Sequence, residues 1–175
     1  MLIGRSGCGK TSLIQSLHKE ALAYRKTQAA EYYQDFIDVP GEYLEVRSFY
    51  RALIMLMCEA CAVALLQAAD DAHNLYPSGL ARTFSKPVIG IVTKADVAED
   101  ADAGVAADVA AGSGQSGADR AESAANGRKS GIDMAAAVLR EAGAPRVFVT
   151  SAVSGLGIDE LGRCLDGLRN NTLQS

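Results

Sequence analysis

Short apolar runs alternate with helical patterns along most of this chain. The runs predict strands at Leu2–Ile3, Phe36–Ile37, Ala62–Leu66, Val88–Val92 and Val147–Val149. Apolar residues at helical spacing predict helices at Thr11–Lys19, Ser48–Cys58, Met134–Ala142 and Ile158–Leu168. Because strands that alternate with helices build parallel sheets, we predict an α/β fold with a mostly parallel central sheet and helices on both of its faces.

The stretch 98–130 interrupts this alternation. Its composition is dominated by Ala, Gly, Ser and Asp, and Val105 and Val109 are its only larger aliphatic residues. Such a segment cannot bury enough apolar surface to offset the entropy of ordering it. We therefore expect a disordered insertion at 98–130 within a single domain that spans 1–175.

The first predicted strand is short, because only three residues precede Gly4. A strand that leads into a glycine-rich loop of this kind normally lies at the centre of the sheet. Either the natural start lies upstream of Met1 or the fold carries a shortened first strand, and we favour the upstream start. No signal peptide is recognised before the loop, so a cytoplasmic protein is expected.

Composition and charge exclude several classes of protein. The chain has 175 residues, of which 49% are hydrophobic, so it can bury the core of one domain. A net charge of -4 is too acidic for binding nucleic acid through bulk charge. The longest apolar stretch, 52–69, is interrupted by Glu59 and Gln67 and is too short to span a membrane. We expect neither nucleic acid nor membrane as a partner.

The cysteines do not form a disulfide framework. They are Cys8, Cys58, Cys61 and Cys164. Cys58 and Cys61 make a single C-x-x-C, which is compatible with a redox pair or half of a zinc site, but no second such pair follows. We expect buried thiols in a reducing cytosol and no disulfides.

A phosphate-binding motif is the strongest chemical signal in the sequence. Residues 4–11, G-R-S-G-C-G-K-T, match G-x-x-x-x-G-K-[ST]. The glycines let backbone N–H groups wrap a phosphate, Lys10 adds a positive charge, and the Thr11 hydroxyl is suited to Mg²⁺. We expect phosphate contacts from Gly4, Arg5, Ser6, Gly7, Cys8, Gly9, Lys10, Thr11 and Ser12.

Three further motifs follow at the ends of predicted strands. Asp38-Val39-Pro40-Gly41 offers a carboxylate that can hold Mg²⁺ through water, and a glycine N–H for a γ-phosphate. In Thr93-Lys94-Ala95-Asp96, the Asp96 carboxylate can accept two hydrogen bonds from the N1–H and N2–H₂ edge of guanine, which adenine lacks. Thr150-Ser151-Ala152 can bring a backbone N–H to the guanine O6. Each motif alone is weak, and ATP is not excluded as the nucleotide.

Together the four motifs resemble those of the Ras-like small GTPases. Within that class, K-T-Q-A at 26–29, I-D-V-P-G-E-Y-L at 37–44 and R-A-L at 51–53 resemble the EutP/PduV family of bacterial ethanolamine and propanediol utilisation. K-P-V-I-G-I-V-T-K-A-D at 86–96 is more similar to its PduV side. The resemblance implies a P-loop GTPase fold that binds GTP or GDP with Mg²⁺.

The resemblance also implies roles for individual residues. Thr27 matches the switch-I threonine, so the implied metal set is Thr11, Thr27 and Asp38, and the implied catalytic set is Lys10, Thr27, Gly41 and Glu42. Thr93 stands where the commonest GTPase pattern has Asn, which lowers the expected affinity for the base. Glu42 stands where enzymes that orient the attacking water usually carry Gln. An ionised Glu accepts but does not donate a hydrogen bond, so we expect slow intrinsic hydrolysis or a Glu42 that points away from the phosphate.

Three functions remain open at this point. The first is a Mg²⁺-dependent GTP switch whose partner is a microcompartment shell protein or an associated metabolic protein, as the family implies. The second is a phosphotransferase of the acetate-kinase type, which needs a cationic clamp for a short-chain carboxylate; the candidates are Arg25, Lys26, Arg47 and Arg51. The third is a nucleotide-binding scaffold with little turnover.

Overall fold

A six-stranded sheet forms the centre of the computed structural model, which describes residues 1–23, 29–33, 35–97 and 131–172. Its strands are β1 (Leu2–Gly4), β2 (Glu31–Tyr33), β3 (Phe36–Asp38), β4 (Val63–Ala68), β5 (Val88–Thr93) and β6 (Val147–Val149). They lie in the order β2-β3-β1-β4-β5-β6. Only β2 and β3 pair antiparallel among the described strands, so the expectation of a mostly parallel sheet is confirmed.

Helices cover both faces of this sheet, as predicted. They are α1 (Lys10–Leu17), α2 (Glu42–Glu45), α3 (Tyr50–Glu59), α4 (131–141) and α5 (Ile158–Thr172). Short 3₁₀ helices occupy Arg47–Phe49 and Leu80–Thr83. No described helix is long and apolar enough to cross a membrane.

One hydrophobic cluster lies on each face of the sheet, because successive residues of a strand point to opposite sides. Leu2 belongs to the cluster beneath α1 and α5, which includes Leu13 and Leu161. Ile3 belongs to the cluster on the other face, together with Leu53 of α3. Every residue of β4 and β5 is buried, as expected of parallel strands covered on both sides. The sheet therefore holds the loops at its carboxyl edge on a rigid base.

The structure corrects the prediction for the cysteines. Cys8 is buried, but Cys58 at the end of α3 is exposed, and Cys61 and Cys164 are half-buried. The pattern misled because α3 has apolar residues almost all round, so the sequence does not say which side of the helix faces the core. The predicted insertion at 98–130 lies outside the described residues.

Candidate functional site

One cavity of about 370 Å³ lies at the carboxyl edge of the sheet, where open parallel sheets bind their ligands. The loops that follow β1, β5 and β6 form its walls, and Gly41, after β3, adds to them. Its lining residues are Ser6, Gly7, Gly9, Lys10, Thr11, Ser12, Leu13, Gly41, Thr93, Lys94, Asp96, Val97, Thr150, Ala152 and Val153. All four predicted motifs thus contribute to one cavity.

The phosphate loop (Gly4–Thr11) wraps around the side chain of Lys10. Gly7 and Gly9 adopt φ values of +79° and +92°, a region that glycine enters without steric cost. The Lys10 ammonium donates to the carbonyl oxygens of Gly4 at 2.8 Å and Arg5 at 2.9 Å. Since α1 begins at Lys10, the positive end of that helix faces the cavity. The loop is therefore arranged to hold an anion.

Thr11 and Asp38 present oxygen atoms suited to a magnesium ion. The Thr11 hydroxyl donates to Asp38 Oδ2 at 2.6 Å, and Asp38 is fully buried at the end of β3. A hydroxyl that donates its proton to a carboxylate still offers a lone pair to a cation. Mg²⁺ in phosphate sites takes one or two protein oxygens and completes its shell with phosphate and water. The residues fit the ion, although no described group of three His, Cys, Asp or Glu residues is placed to bind a metal.

The segment after β3 packs directly on the phosphate loop. A Cβ atom added to Gly41 would meet the Ser6 backbone nitrogen and would lie 2.5 Å from Ser6 Cα. Glu45 of α2 accepts a hydrogen bond from the Ser6 N–H at 3.2 Å. Glu42 is half-buried at the start of α2 and does not line the cavity. Only Gly41 of this segment reaches the cavity wall.

Thr93 ties the loop that is expected to read the base (Thr93–Asp96, the base-reading loop) to the phosphate loop. Its hydroxyl is buried and donates to the Cys8 carbonyl oxygen at 2.6 Å. The Lys94 ammonium lies 3.0 Å from Asp70 Oδ2, and the backbone of this lysine adopts φ +56° directly after β5.

The loop that follows β6 (Thr150–Ala152) is hydrogen-bonded to β5 and to the base-reading loop by Thr150. Its N–H donates to the Val92 carbonyl at 2.7 Å, and its hydroxyl donates to the same oxygen at 2.9 Å. The Ala95 N–H in turn donates to the Thr150 carbonyl at 3.2 Å. Ala152 then reaches the cavity, whereas Ser151 is fully buried and accepts a hydrogen bond from the Ser154 N–H.

Several predicted residues lie near the cavity without lining it. They are Gly4, Arg5, Cys8, Asp38, Glu42 and Ser151. Thr27, Arg25 and Lys26 lie outside the described residues. Val97 and Val153 line the cavity but were not predicted. Each follows a predicted motif by one residue, and apolar side chains there are suited to the faces of a planar base.

Comparison with known proteins identifies the relatives of this chain. A family model described as PduV-EutP, ethanolamine utilisation and propanediol utilisation, matches residues 1–120. The chain is 39% identical over 161 residues to the propanediol utilization protein PduV of Citrobacter freundii, which covers 92% of this chain and 88% of that protein. It is 36% identical over 102 residues to the "Probable acetate kinase EutP" of Escherichia coli strain K12, which covers 57% of this chain and 64% of that protein. The longer and more similar of these two matches is to PduV, as the motifs indicated.

The fold has a counterpart among solved structures. A variant of Aquifex aeolicus Era, crystallised with GDP.AlF4-, matches with a TM-score of 0.53 and 16% identity, covering 96% of this chain and 55% of that chain. At this identity the likeness concerns the fold alone. Taken with the family match, it shows that the chain belongs to the PduV–EutP family of ethanolamine and propanediol utilisation and has the fold of the P-loop GTPases.

Proposed function

We propose that this chain binds GDP and GTP with Mg²⁺ and acts as a slow GTPase switch. One observation carries the proposal: a single cavity joins the phosphate loop at one end to Thr93, Lys94 and Asp96 at the other. A nucleoside phosphate needs this combination, since its anionic end and its base must be held in one cavity. Era, whose fold this chain shares, was crystallised with GDP.AlF4-, and a guanine nucleotide in this cavity would agree with that ligand.

Asp96 is the residue that distinguishes guanine from adenine in this proposal. It lines the cavity and is half-buried, so its carboxylate can meet the N1–H and N2–H₂ groups of guanine. Adenine offers an acceptor at N1 and would face the carboxylate with repulsion. Ala152, across the cavity, supplies the N–H for the guanine O6.

The phosphate end is served by the residues around Lys10. The ammonium of Lys10 and the backbone amides of the phosphate loop bind the β- and γ-phosphate oxygens, and the Gly41 N–H faces the γ-phosphate. Thr11 and Asp38 would hold Mg²⁺, with Thr27 as the switch-I residue that the family resemblance adds. When bound, the ion neutralises negative charge on the β- and γ-phosphates.

Hydrolysis is proposed to be slow because Glu42 does not line the cavity. The Glu42 side chain is therefore not placed to orient the water that attacks the γ-phosphate. Single-turnover hydrolysis of GTP without a partner should be slow, and Glu42→Gln should accelerate it if the side chain can turn toward the phosphate. Fast hydrolysis by the wild type together with a slower Glu42→Gln variant would contradict this part of the proposal.

The biological setting comes from the family. The family description and the name of the C. freundii relative support a role in propanediol or ethanolamine utilisation. We propose a cytoplasmic protein that acts on a microcompartment shell protein or an associated metabolic enzyme in its GTP-bound form. A scaffold that binds nucleotide with little turnover would keep its partner when Thr27 is changed to Ala, whereas a switch would lose it.

Phosphoryl transfer to a short-chain carboxylate is the second candidate, because the E. coli relative is named as a probable acetate kinase. Of the cations expected to clamp the carboxylate, Arg51 is exposed on α3 and does not line the cavity. Arg25, Lys26 and the side chain of Arg47 lie outside the described residues. A kinase should form acyl-phosphate, trapped as the hydroxamate, only when acetate or propionate is added with the nucleotide.

The binding test compares GDP, GTP, ADP and ATP with Mg²⁺ on the wild type and on Asp96→Ala. Micromolar or tighter guanine binding that is lost in Asp96→Ala would support the proposal. Equal binding of the adenine nucleotides, or no effect of Asp96→Ala, would contradict it and favour the kinase.

A further inference from the structure

Two consecutive aspartates, Asp70 and Asp71, follow β4. One pairs with a lysine of the base-reading loop and the other with an arginine of the phosphate loop. Asp70 lies 3.0 Å from the Lys94 ammonium, and both side chains are about one-third exposed. Asp71 receives Arg5 Nη1 at 2.9 Å on Oδ2 and at 3.1 Å on Oδ1. The 69–73 segment, which none of the four motifs includes, therefore contacts both the base-reading loop and the phosphate loop.

The segment that carries these acids is held in place by a buried side chain. Gln67 of β4 is 5% exposed, and its amide donates to the carbonyl oxygens of Asp71 at 2.8 Å and His73 at 3.3 Å. The carboxylate of Asp71 accepts a further hydrogen bond from the His73 N–H at 2.9 Å. The acids thus project from a loop whose backbone is fixed to the sheet.

Lys94 lines the candidate nucleotide cavity directly, whereas Arg5 does not line it but directly precedes Ser6, which does. Ser6, Gly7 and Lys94 line that cavity and also a second cavity of about 440 Å³, which Arg5, Asp70 and Asp71 line as well. Ser6, Gly7 and Lys94 therefore border both cavities. Lys94 also has a left-handed backbone conformation, which persists in non-glycine residues only when surrounding contacts impose it.

Asp71 is linked to the cavity indirectly, through Arg5 and the Lys10 ammonium. The carbonyl oxygen of Arg5 accepts a hydrogen bond from the Lys10 ammonium. Fixing the Arg5 guanidinium against Asp71 therefore also limits movement of the backbone that holds the phosphate-binding lysine. The Asp71 side chain is 17% exposed and the Arg5 side chain 42%, so water screens this pair in part.

We propose that Asp70 and Asp71 are positioning residues of the nucleotide site, Asp70 through Lys94 and Asp71 through Arg5. The inference rests on the proposed nucleotide binding and adds the 69–73 segment to the site. Neither acid touches the nucleotide. Each slows nucleotide release by holding a cation, and with it one side of the cavity wall, in the binding geometry.

The test measures the dissociation rate of a fluorescent GDP analogue from Asp70→Asn and Asp71→Asn, which keep the side-chain shape and remove the charge. We expect release to be roughly 2- to 5-fold faster for each, the upper range expected for partly exposed ion pairs. Asp35→Asn is the matched control, because Asp35 pairs with Arg169 at 2.8 Å just before β3, at the opposite edge of the sheet from the cavity. Release from this control should equal that of the wild type.

A double-mutant cycle separates positioning from a general structural role. If Asp70 acts through Lys94, Asp70→Asn should change release less than about 1.5-fold in a Lys94→Met background. An undiminished effect there, or wild-type release from the single variants, would overturn the inference.

Hydrogen exchange of the nucleotide-free proteins keeps this test independent of the proposed function. Asp70→Asn should speed amide exchange in 93–97, and Asp71→Asn should speed it in 5–9, whether or not the wild type binds guanine nucleotides. A wild type that binds no guanine nucleotide would defeat the proposed function alone. Unchanged exchange in both variants would defeat the positioning role.

Discussion

Gly41 carries a constraint that its neighbours in the Asp38–Gly41 motif do not. Its φ of -58° suits any residue, so backbone freedom does not explain the glycine. The explanation is space, because a Cβ atom there would collide with the Ser6 backbone of the phosphate loop. The motif was predicted for its N–H, and the close backbone approach was visible only in the structure.

Replacing Gly41 by Ala should push α2 away from the phosphate loop. Overpacking of this kind costs about 1–3 kcal/mol, and we expect the free energy of unfolding and the GTP affinity both to fall. Thermal unfolding and equilibrium nucleotide binding measure the two effects. Gly167→Ala is the control, since Gly167 lies in α5 with open space around it and should gain about 0.5–1 kcal/mol from helix propensity. Equal changes in unfolding free energy and in nucleotide affinity for the two variants would contradict the close packing at Gly41.

Thr93 donates a hydrogen bond to the phosphate loop, which its position in the Thr93–Asp96 motif did not reveal. Thr93→Val keeps the shape but leaves the buried Cys8 carbonyl without its hydroxyl donor, which should lower the free energy of unfolding by about 1–3 kcal/mol. Nucleotide affinity should fall as well, because the phosphate loop loses its tie to the base-reading loop.

Thr83→Val provides the matched comparison for Thr93. Thr83 makes the same kind of bond, from its hydroxyl to the Leu80 carbonyl at 2.7 Å, but on the exposed surface. Water can replace that bond, so the free energy of unfolding measured with denaturant should change by less than about 0.5 kcal/mol. A Thr93→Val variant as stable as Thr83→Val would show that the tie contributes little.

At the scale of elements, long buried runs were predictable and short surface elements were not. β4 and β5 appear in the sequence as continuous apolar runs, because both of their faces are covered. Glu31–Tyr33 escaped prediction because β2 is a three-residue edge strand whose side chains are exposed or half-buried. The four-residue helix α2 is too short to show a helical period. Its position depends on contacts with the phosphate loop, which local sequence does not encode.

The phosphate loop and α3 place their cysteines in opposite environments. Burial raises the pKa of the Cys8 thiol, and the Lys10 ammonium only partly offsets this effect. Cys58 is exposed at the end of α3. We expect iodoacetamide to modify Cys58 much faster than Cys8, because the thiolate is the reactive form and must be accessible. Mass spectrometry of a short labelling series measures both rates, and preferential labelling of Cys8 would show that the phosphate loop opens readily.

For the whole molecule, the motifs predicted which loops meet but not how they are joined. Parallel strands bring their carboxyl ends to one edge of the sheet, so the meeting of the phosphate loop, Asp38, Asp96 and Ala152 followed from chain order. The bonds between the loops did not follow. The pairing of Asp70 with Lys94 joins a residue of left-handed backbone after β5 to a segment that none of the motifs contains.

At the scale of the whole molecule, the disordered insertion expected at 98–130 remains a prediction. The described chain stops at Val97, on the cavity wall, and resumes at Gly131, where an added Cβ would lie 2.8 Å from the Ala69 carbonyl oxygen. A variant in which a short Gly-Ser linker replaces 99–130 should keep the GDP affinity of the wild type if the stretch is only an insertion. A large loss of affinity in a variant with unchanged thermal stability would assign the stretch a part in binding.

The central claim, that Asp96 reads the guanine base, has a direct test in the exchange of guanine for xanthine. Xanthine carries an oxygen at C2 where guanine carries an amino group, so an Asn at position 96 can donate to xanthine where the Asp96 carboxylate accepts from guanine. We predict that Asp96→Asn binds GDP about 100-fold more weakly than the wild type and binds XDP about as tightly as the wild type binds GDP. The gain of XDP binding also proves that the variant is folded. An Asp96→Asn variant that keeps its GDP affinity and gains none for XDP would contradict the account.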